Sequence, residues 1–161
     1  MLIETARTSD AVDDLESAIA FYDIAERAGS AHAGDLVNYG VLLAELCSRG
    51  PAVDPELTDS EARYIRGRWR SVLVAASKGA RDPKSALEAQ FWLEYWAFIL
   101  DSEAFDESKW LSVIEEKRSV WPVIYFGPPA GESLVAELVQ QVASGGTAKL
   151  RYARAVAAGW T

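Results

Sequence analysis

"AERAGSAHAGDLVNYGVLLAEL", Ala25 to Leu46, carries small residues where most helices carry bulky ones. Ala25, Ala28, Gly29, Ala33 and Gly40 are spaced so that one helix ends, the chain turns and another begins. Glycine inside a helix costs about 1 kcal/mol relative to alanine. Gly40 stands in mid-helix, so its missing side chain implies a neighbouring helix in close approach. Ala18, Tyr22 and Ala25 share one face of the preceding helix, an aromatic between two small residues. Leu36, Tyr39, Gly40 and Leu43 supply the complementary face of the next. The stretch predicts two rods nested side by side.

Outward from there, the same punctuation recurs. Ser9 and Asp10 are read as the N-cap of a first helix running to about Ala28, stopped by Gly29. The second helix covers about Ala33 to Ser48 and ends at Gly50 and Pro51. "RGPAVDPELTDSEA" reads as a loop, and Thr58 with Glu61 forms a capping box for a third helix reaching Lys78. Asp82 and Pro83 open a fourth, "SALEAQFWLEYWAFIL", apolar nearly all round and therefore the most buried element. Asp106 caps a fifth, from Glu107 to about Ser119. Val123 to Phe126, within "WPVIYFGPPAG", is β-prone but too short for a sheet, and is read as a helical turn or an extended packing segment. Glu132 to Val142 and Thr147 to Ala158 make a sixth and a seventh helix. The expected fold is all-α, about seven helices in antiparallel hairpins with short turns.

Size and composition bound the function. The chain has 161 residues, half of them hydrophobic, with six Trp, six Tyr and five Phe, enough for one well-packed domain. A formal charge of −8 argues against nucleic acid, whose phosphates need a basic footprint. It suits a basic protein partner. One cysteine, Cys47, forms no internal disulfide, and "MLIETARTSDAVDD" lacks the basic start and apolar run of a signal peptide. No apolar run is long enough for a bilayer. The expectation is a cytoplasmic protein without membrane contact.

The small-and-aromatic pattern resembles the tetratricopeptide repeat and its Sel-one-like relatives. Ala18, Tyr22 and Ala25 look like the second helix of one repeat, and "LVNYGVLL" looks like the first helix of the next. "AASKGARDPKSALEAQFWL" repeats the theme through Ala75, Ala76, Gly79 and Ala86. The lengthened turn from Gly50 to Thr58, and Trp92 or Leu93 where a glycine is usual, depart from the pattern. The resemblance implies a right-handed α-superhelix with repeat-like hairpins over residues 11–100. Helices over 101–161 complete the stack, so that 1–161 is one domain.

Few residues suit catalysis. His32, the single histidine, sits in a turn without a partner, and Cys47 lacks a nearby histidine or CxxC spacing. One His and one Cys make a structural zinc site an unsuitable expectation. "DSEAFDE" reads as helix capping rather than a calcium loop. No cofactor motif and no catalytic residues are identified.

The candidates that remain are surfaces. Arg63, Arg66 and Arg70 recur at spacings of three and four on one face of the third helix, with Arg68 to the side. They are either solvated or a stripe that grips an acidic peptide or a C-terminal carboxylate, as some tetratricopeptide grooves do. Asp13, Glu16 and Asp23 mark an acidic first helix that would face a basic partner. Trp92, Tyr95 and Trp96 cover more than one face of their helix, which makes one of them a candidate anchor in a groove. The expected function is a non-enzymatic protein–protein interaction module of helical-repeat type. Its sharper version is a bacterial immunity or antitoxin protein that neutralises a basic toxin. One alternative is a small-ligand-binding or enzymatic helical domain using an aromatic pocket near Trp92 and Trp121, with Glu94 as a polar group. Another is a structural domain that forms a homodimer through its alanine-rich last helix.

Overall fold

The computed structural model of the chain describes residues 1–49 and 58–160. The expected loop across Gly50 to Thr58, and the helix stop at Gly50 and Pro51, fall almost wholly outside those residues. Among the described residues the protein is all-helical. Its helices are α1 (Leu2–Ala11), α2 (Leu15–Arg27), α3 (Ala33–Arg49), α4 (Asp59–Gly79) and α5 (Pro83–Asp101). They are followed by α6 (Glu107–Glu115), α7 (Val123–Phe126), α8 (Glu132–Val142) and α9 (Ala148–Ala158), with a 3₁₀ turn at Pro128–Ala130.

Local chemistry explains most of the boundaries. Thr58 and Glu61 close a reciprocal capping box, with the Glu61 N–H 3.2 Å from Thr58 Oγ1 and the Thr58 N–H 2.8 Å from Glu61 Oε2. Asp82 accepts from the Ser85 N–H at 2.8 Å and Asp106 from the Lys109 N–H at 3.0 Å. The single helix expected from Ser9 to Ala28 is in fact two. Asp13 adopts a left-handed backbone, φ 61°, between them, and Asp14 rather than Asp10 caps α2. The helical-turn reading of Val123–Phe126 is the one observed.

Helices pack as hairpins, α1 on α2, α3 on α4 and α4 on α5. Gly40 is the hinge of this packing. A Cβ built there would lie 2.5 Å from both Cγ and Cδ2 of the buried Leu73 of α4, so only glycine permits the observed approach. On the other side of α3, Tyr39 stacks on Tyr22 of α2, ring centroids 5.4 Å apart and 15° from parallel. The opening stretch therefore joins α2, α3 and α4 through one small residue and two rings.

The centre is α5. Phe91, Trp92, Tyr95 and Trp96 are buried there among Trp110 of α6, Trp121 of the turn before α7 and Tyr152 of α9. α9 then returns to pack on α3, and its start meets the end of α1. In a strictly linear repeat array each unit touches only its neighbours; here long-range contacts close the stack on itself.

That closure rests on a buried carboxylate. Asp10, at the end of α1, has no exposed surface and accepts the Ala148 N–H of α9 at 3.0 and 3.1 Å on its two oxygens. Tyr22 Oη donates to it at 3.1 Å, and Arg151 Nη2 lies 3.0 Å away. Asp10 is a cap, but of the last helix rather than the first. Gly146 makes room, since a Cβ there would sit 2.8 Å from the Ala11 carbonyl oxygen.

Candidate functional site

The exposed face of α4 is the place where the expected stripe can be judged. Ile65, Trp69, Val72, Leu73 and Ala76 turn inward at helical spacing, against α3 and α5. Arg63 and Arg66 are left outside, both exposed. They line two shallow depressions that share Arg66. One, about 340 Å³, is bounded by Asp59, Ala62, Arg63 and Arg66. The other, about 330 Å³, runs between the ends of α3, α4 and α5 past Cys47, Ser48, Arg66, Trp69, Ile99, Leu100 and Asp101. Ile99 contributes an apolar wall with 44% of its surface exposed. Burial pushes the Cys47 thiol up to about 11 against the opposing pull of Arg66, so the floor of the groove is an uncharged thiol at neutral pH.

The arginines of α4 divide into two kinds. Arg70 donates to Glu103 Oε1 at 2.6 Å and Asp101 Oδ2 at 2.7 Å, which together hold its guanidinium above its ordinary value. Its guanidinium carbon also lies 5.2 Å from the Trp69 ring centre. Arg68 crosses to α2, where it pairs with Glu26 and lies 3.3 Å from Asp23. Arg63 donates only to the Asp59 carbonyl at 3.2 Å, and Arg66 has no ion pair or hydrogen bond among the described residues. The stripe of three is therefore a pair, with Arg70 tied to the end of α5.

The acidic candidates are largely engaged. Asp23 accepts from Arg27 at 2.8 Å, Tyr64 Oη at 3.1 Å and Tyr39 Oη at 3.5 Å besides Arg68. Asp13 lies 3.4 Å from Arg151, and Glu16 is exposed in the first turn of α2. The aromatic candidates are core. Trp92 and Trp96 have no exposed surface and Tyr95 has 5%, because α5 is covered on every side that carries them. None of the three borders the two depressions beside Arg66.

The same burial bears on the ligand-pocket alternative. Trp92 packs on Trp121 with ring centres 5.6 Å apart, leaving no space between them. A cleft beside Trp121 holds about 90 Å³, whereas ligand pockets typically take roughly 300 Å³ or more. Glu94 receives the Trp110 indole N–H at 2.7 Å and pairs with Lys109, a structural use of the carboxylate. Trp160, which follows the alanine-rich last helix expected to form a dimer contact, packs partly buried against the core, its indole 3.2 Å from where a Gly127 Cβ would be.

Two polar features escaped sequence reasoning. Asp35 is buried, takes a two-pronged contact from Arg7 at 2.7 and 3.0 Å, and accepts the His32 N–H at 3.1 Å. His32 thus serves a helix start, with its side chain exposed. Tyr95 and Tyr152 share a 2.7 Å hydroxyl contact within the aromatic core. Either could have been sought as an acid or tyrosine inside an apolar period, but its partner lies tens of residues away. No helix among the described residues is long and apolar enough to cross a membrane. Comparison of the chain with protein-family models, with curated proteins and with solved structures gave no match.

Proposed function

We propose that the protein is a non-enzymatic interaction module that docks a partner protein across the outer face of α4. In this reading the hairpins from α2 to α5 are a repeat-like scaffold of the tetratricopeptide kind, acting in the cytoplasm. The observation that supports it is the pair of shallow depressions meeting at Arg66, open and elongated, with a charged rim and an apolar wall at Ile99. A polypeptide segment suits such a surface better than a small molecule, which favours an enclosing pocket.

The immunity-type reading with a basic partner draws on the net charge of −8. Of the acids that would greet such a partner, Asp13 and Asp23 are engaged by Arg151, Arg27 and Arg68, and Glu16 alone stays exposed and unpaired among the described residues, so the α4 face is preferred. A photo-crosslinking residue placed at Ala62, which lines the groove, tests this in cells. It should yield a discrete protein adduct that the same residue at Val139, exposed on α8, does not give. Equal adducts from both positions, or none from Ala62, would refute the assignment.

A further inference from the structure

We infer that the occupant of the α4 groove is an acidic segment of a partner protein, carrying two carboxylates about one helical turn apart beside an apolar side chain. The inference rests on the docking face proposed above and adds the chemistry of what fills it. With 24 Asp and Glu against 16 Lys and Arg, the chain has acids to spare, and two of the four arginines of α4 use them. Arg68 has Asp23 and Glu26; Arg70 has Asp101 and Glu103. Of the four arginines on that helix, Arg63 and Arg66 have no carboxylate partner among the described residues.

Position sharpens the case. Arg63 and Arg66 are three residues apart on an α-helix, so their Cβ atoms stand roughly 5–6 Å apart on one face. A guanidinium offers a planar fork of donors that matches a carboxylate, and two such forks one turn apart match carboxylates at the same spacing. Arg66 borders both depressions, so a segment paired there continues naturally onto Ile99 and the edge of Trp69. A basic segment would meet two like charges. Nucleic acid would find two free arginines here among the described residues, on a chain of net charge −8, too small a footprint for phosphate binding.

Selection from a displayed library of random peptides on the full-length protein tests the chemistry. Two variants serve as comparison: R63E/R66E, and R81E/K84E, which makes the same change in net charge at exposed residues away from the groove. Far-UV circular dichroism and the thermal midpoint verify that both fold. The expected result is enrichment of net-acidic peptides that bind R63E/R66E about tenfold or more weakly, bind R81E/K84E like wild type, and weaken as salt screens the exposed pairs. Enrichment of basic or neutral peptides, equal loss in both variants, or no enrichment would each overturn the inference. If the Ala62 crosslink still captures its partner in that event, the docking face stands and only the acidic chemistry falls. If the crosslink fails while acidic peptides depend on Arg63 and Arg66, the reverse holds.

Discussion

Removing the Asp10 carboxylate should open the junction between the two ends of the chain, and the size of the effect follows from what converges on it. Asp10→Ala leaves the Ala148 N–H and the Tyr22 hydroxyl without acceptors at a site with no exposed surface. A buried donor left unsatisfied costs about 1–3 kcal/mol. Arg151 is a quarter exposed and keeps other acceptors, so the orphaned donors set the scale, and D10A is expected to destabilise by about 2–3 kcal/mol. Asp10→Asn behaves differently. The carboxamide oxygen still accepts from Ala148, while Arg151 keeps Asp13 at 3.4 Å and the Asp10 and Gly146 carbonyls. D10N should cost only about 1 kcal/mol.

The pH dependence separates wild type from both variants, neither of which titrates at this position. Burial raises the Asp10 carboxyl above its ordinary value of 3.8, outweighing the lowering by the Ala148 N–H, Arg151 and Tyr22. Between 3.8 and the raised value the folded state binds more protons than the unfolded one, so the stability due to Asp10 falls as pH rises through that window. Asn has no such term. The cost of D10N relative to wild type should therefore be smaller at pH 7 than near pH 4, opposite to the behaviour of an acid-labile surface pair. Urea unfolding followed by circular dichroism across that range measures both quantities. A D10A cost below about 1 kcal/mol, or a D10N cost equal to it at every pH, would show that the carboxylate does not organise the junction.

Glycine substitutions test the hairpin packing. Gly40→Ala should destabilise by about 1–3 kcal/mol despite the better helix propensity, because its Cβ meets buried Leu73 at 2.5 Å. Gly67→Ala in α4, with nothing within 4 Å of its Cβ, should stabilise by up to about 1 kcal/mol. Thermal denaturation of the pair reads both signs, and a stabilising G40A would remove the close-approach argument. The Cys47 thiol, raised to about 11, should react with a disulfide reagent at pH 7.5 at least about tenfold more slowly in the native protein than in urea. Equal rates would mean that the floor of the groove is open to solvent.

What the sequence disclosed, it disclosed through short-range chemistry. The capping box at Thr58 and Glu61, the Asp82–Pro83 start and the run of α8 from Glu132 all depend on residues within one turn of each other. Gly40 was legible as well, since a mid-helix glycine carries a cost that only close packing offsets. Asp10 shows where such reading stops. Its residue type announced a cap, and a cap it is, but the N–H it satisfies belongs to Ala148, 138 positions later. Nothing within a helical turn of Asp10 could have distinguished its own α2 from a distant α9. Trp92, Tyr95 and Trp96, all buried, were ambiguous for a related reason. Their spread around α5 signals either a groove or burial on all sides, and the choice depends on α6, the turn at Trp121 and α9 arriving to cover them. The arginines of α4 sit between these cases. Their helical spacing placed them on one side of the rod, yet which of them is spoken for depended on how α2 and the end of α5 lie against it. Arg68 and Arg70 found acids across those contacts and Arg63 and Arg66 did not. Spacing therefore proposes a surface, and tertiary pairing decides which of its charges remain available to a partner.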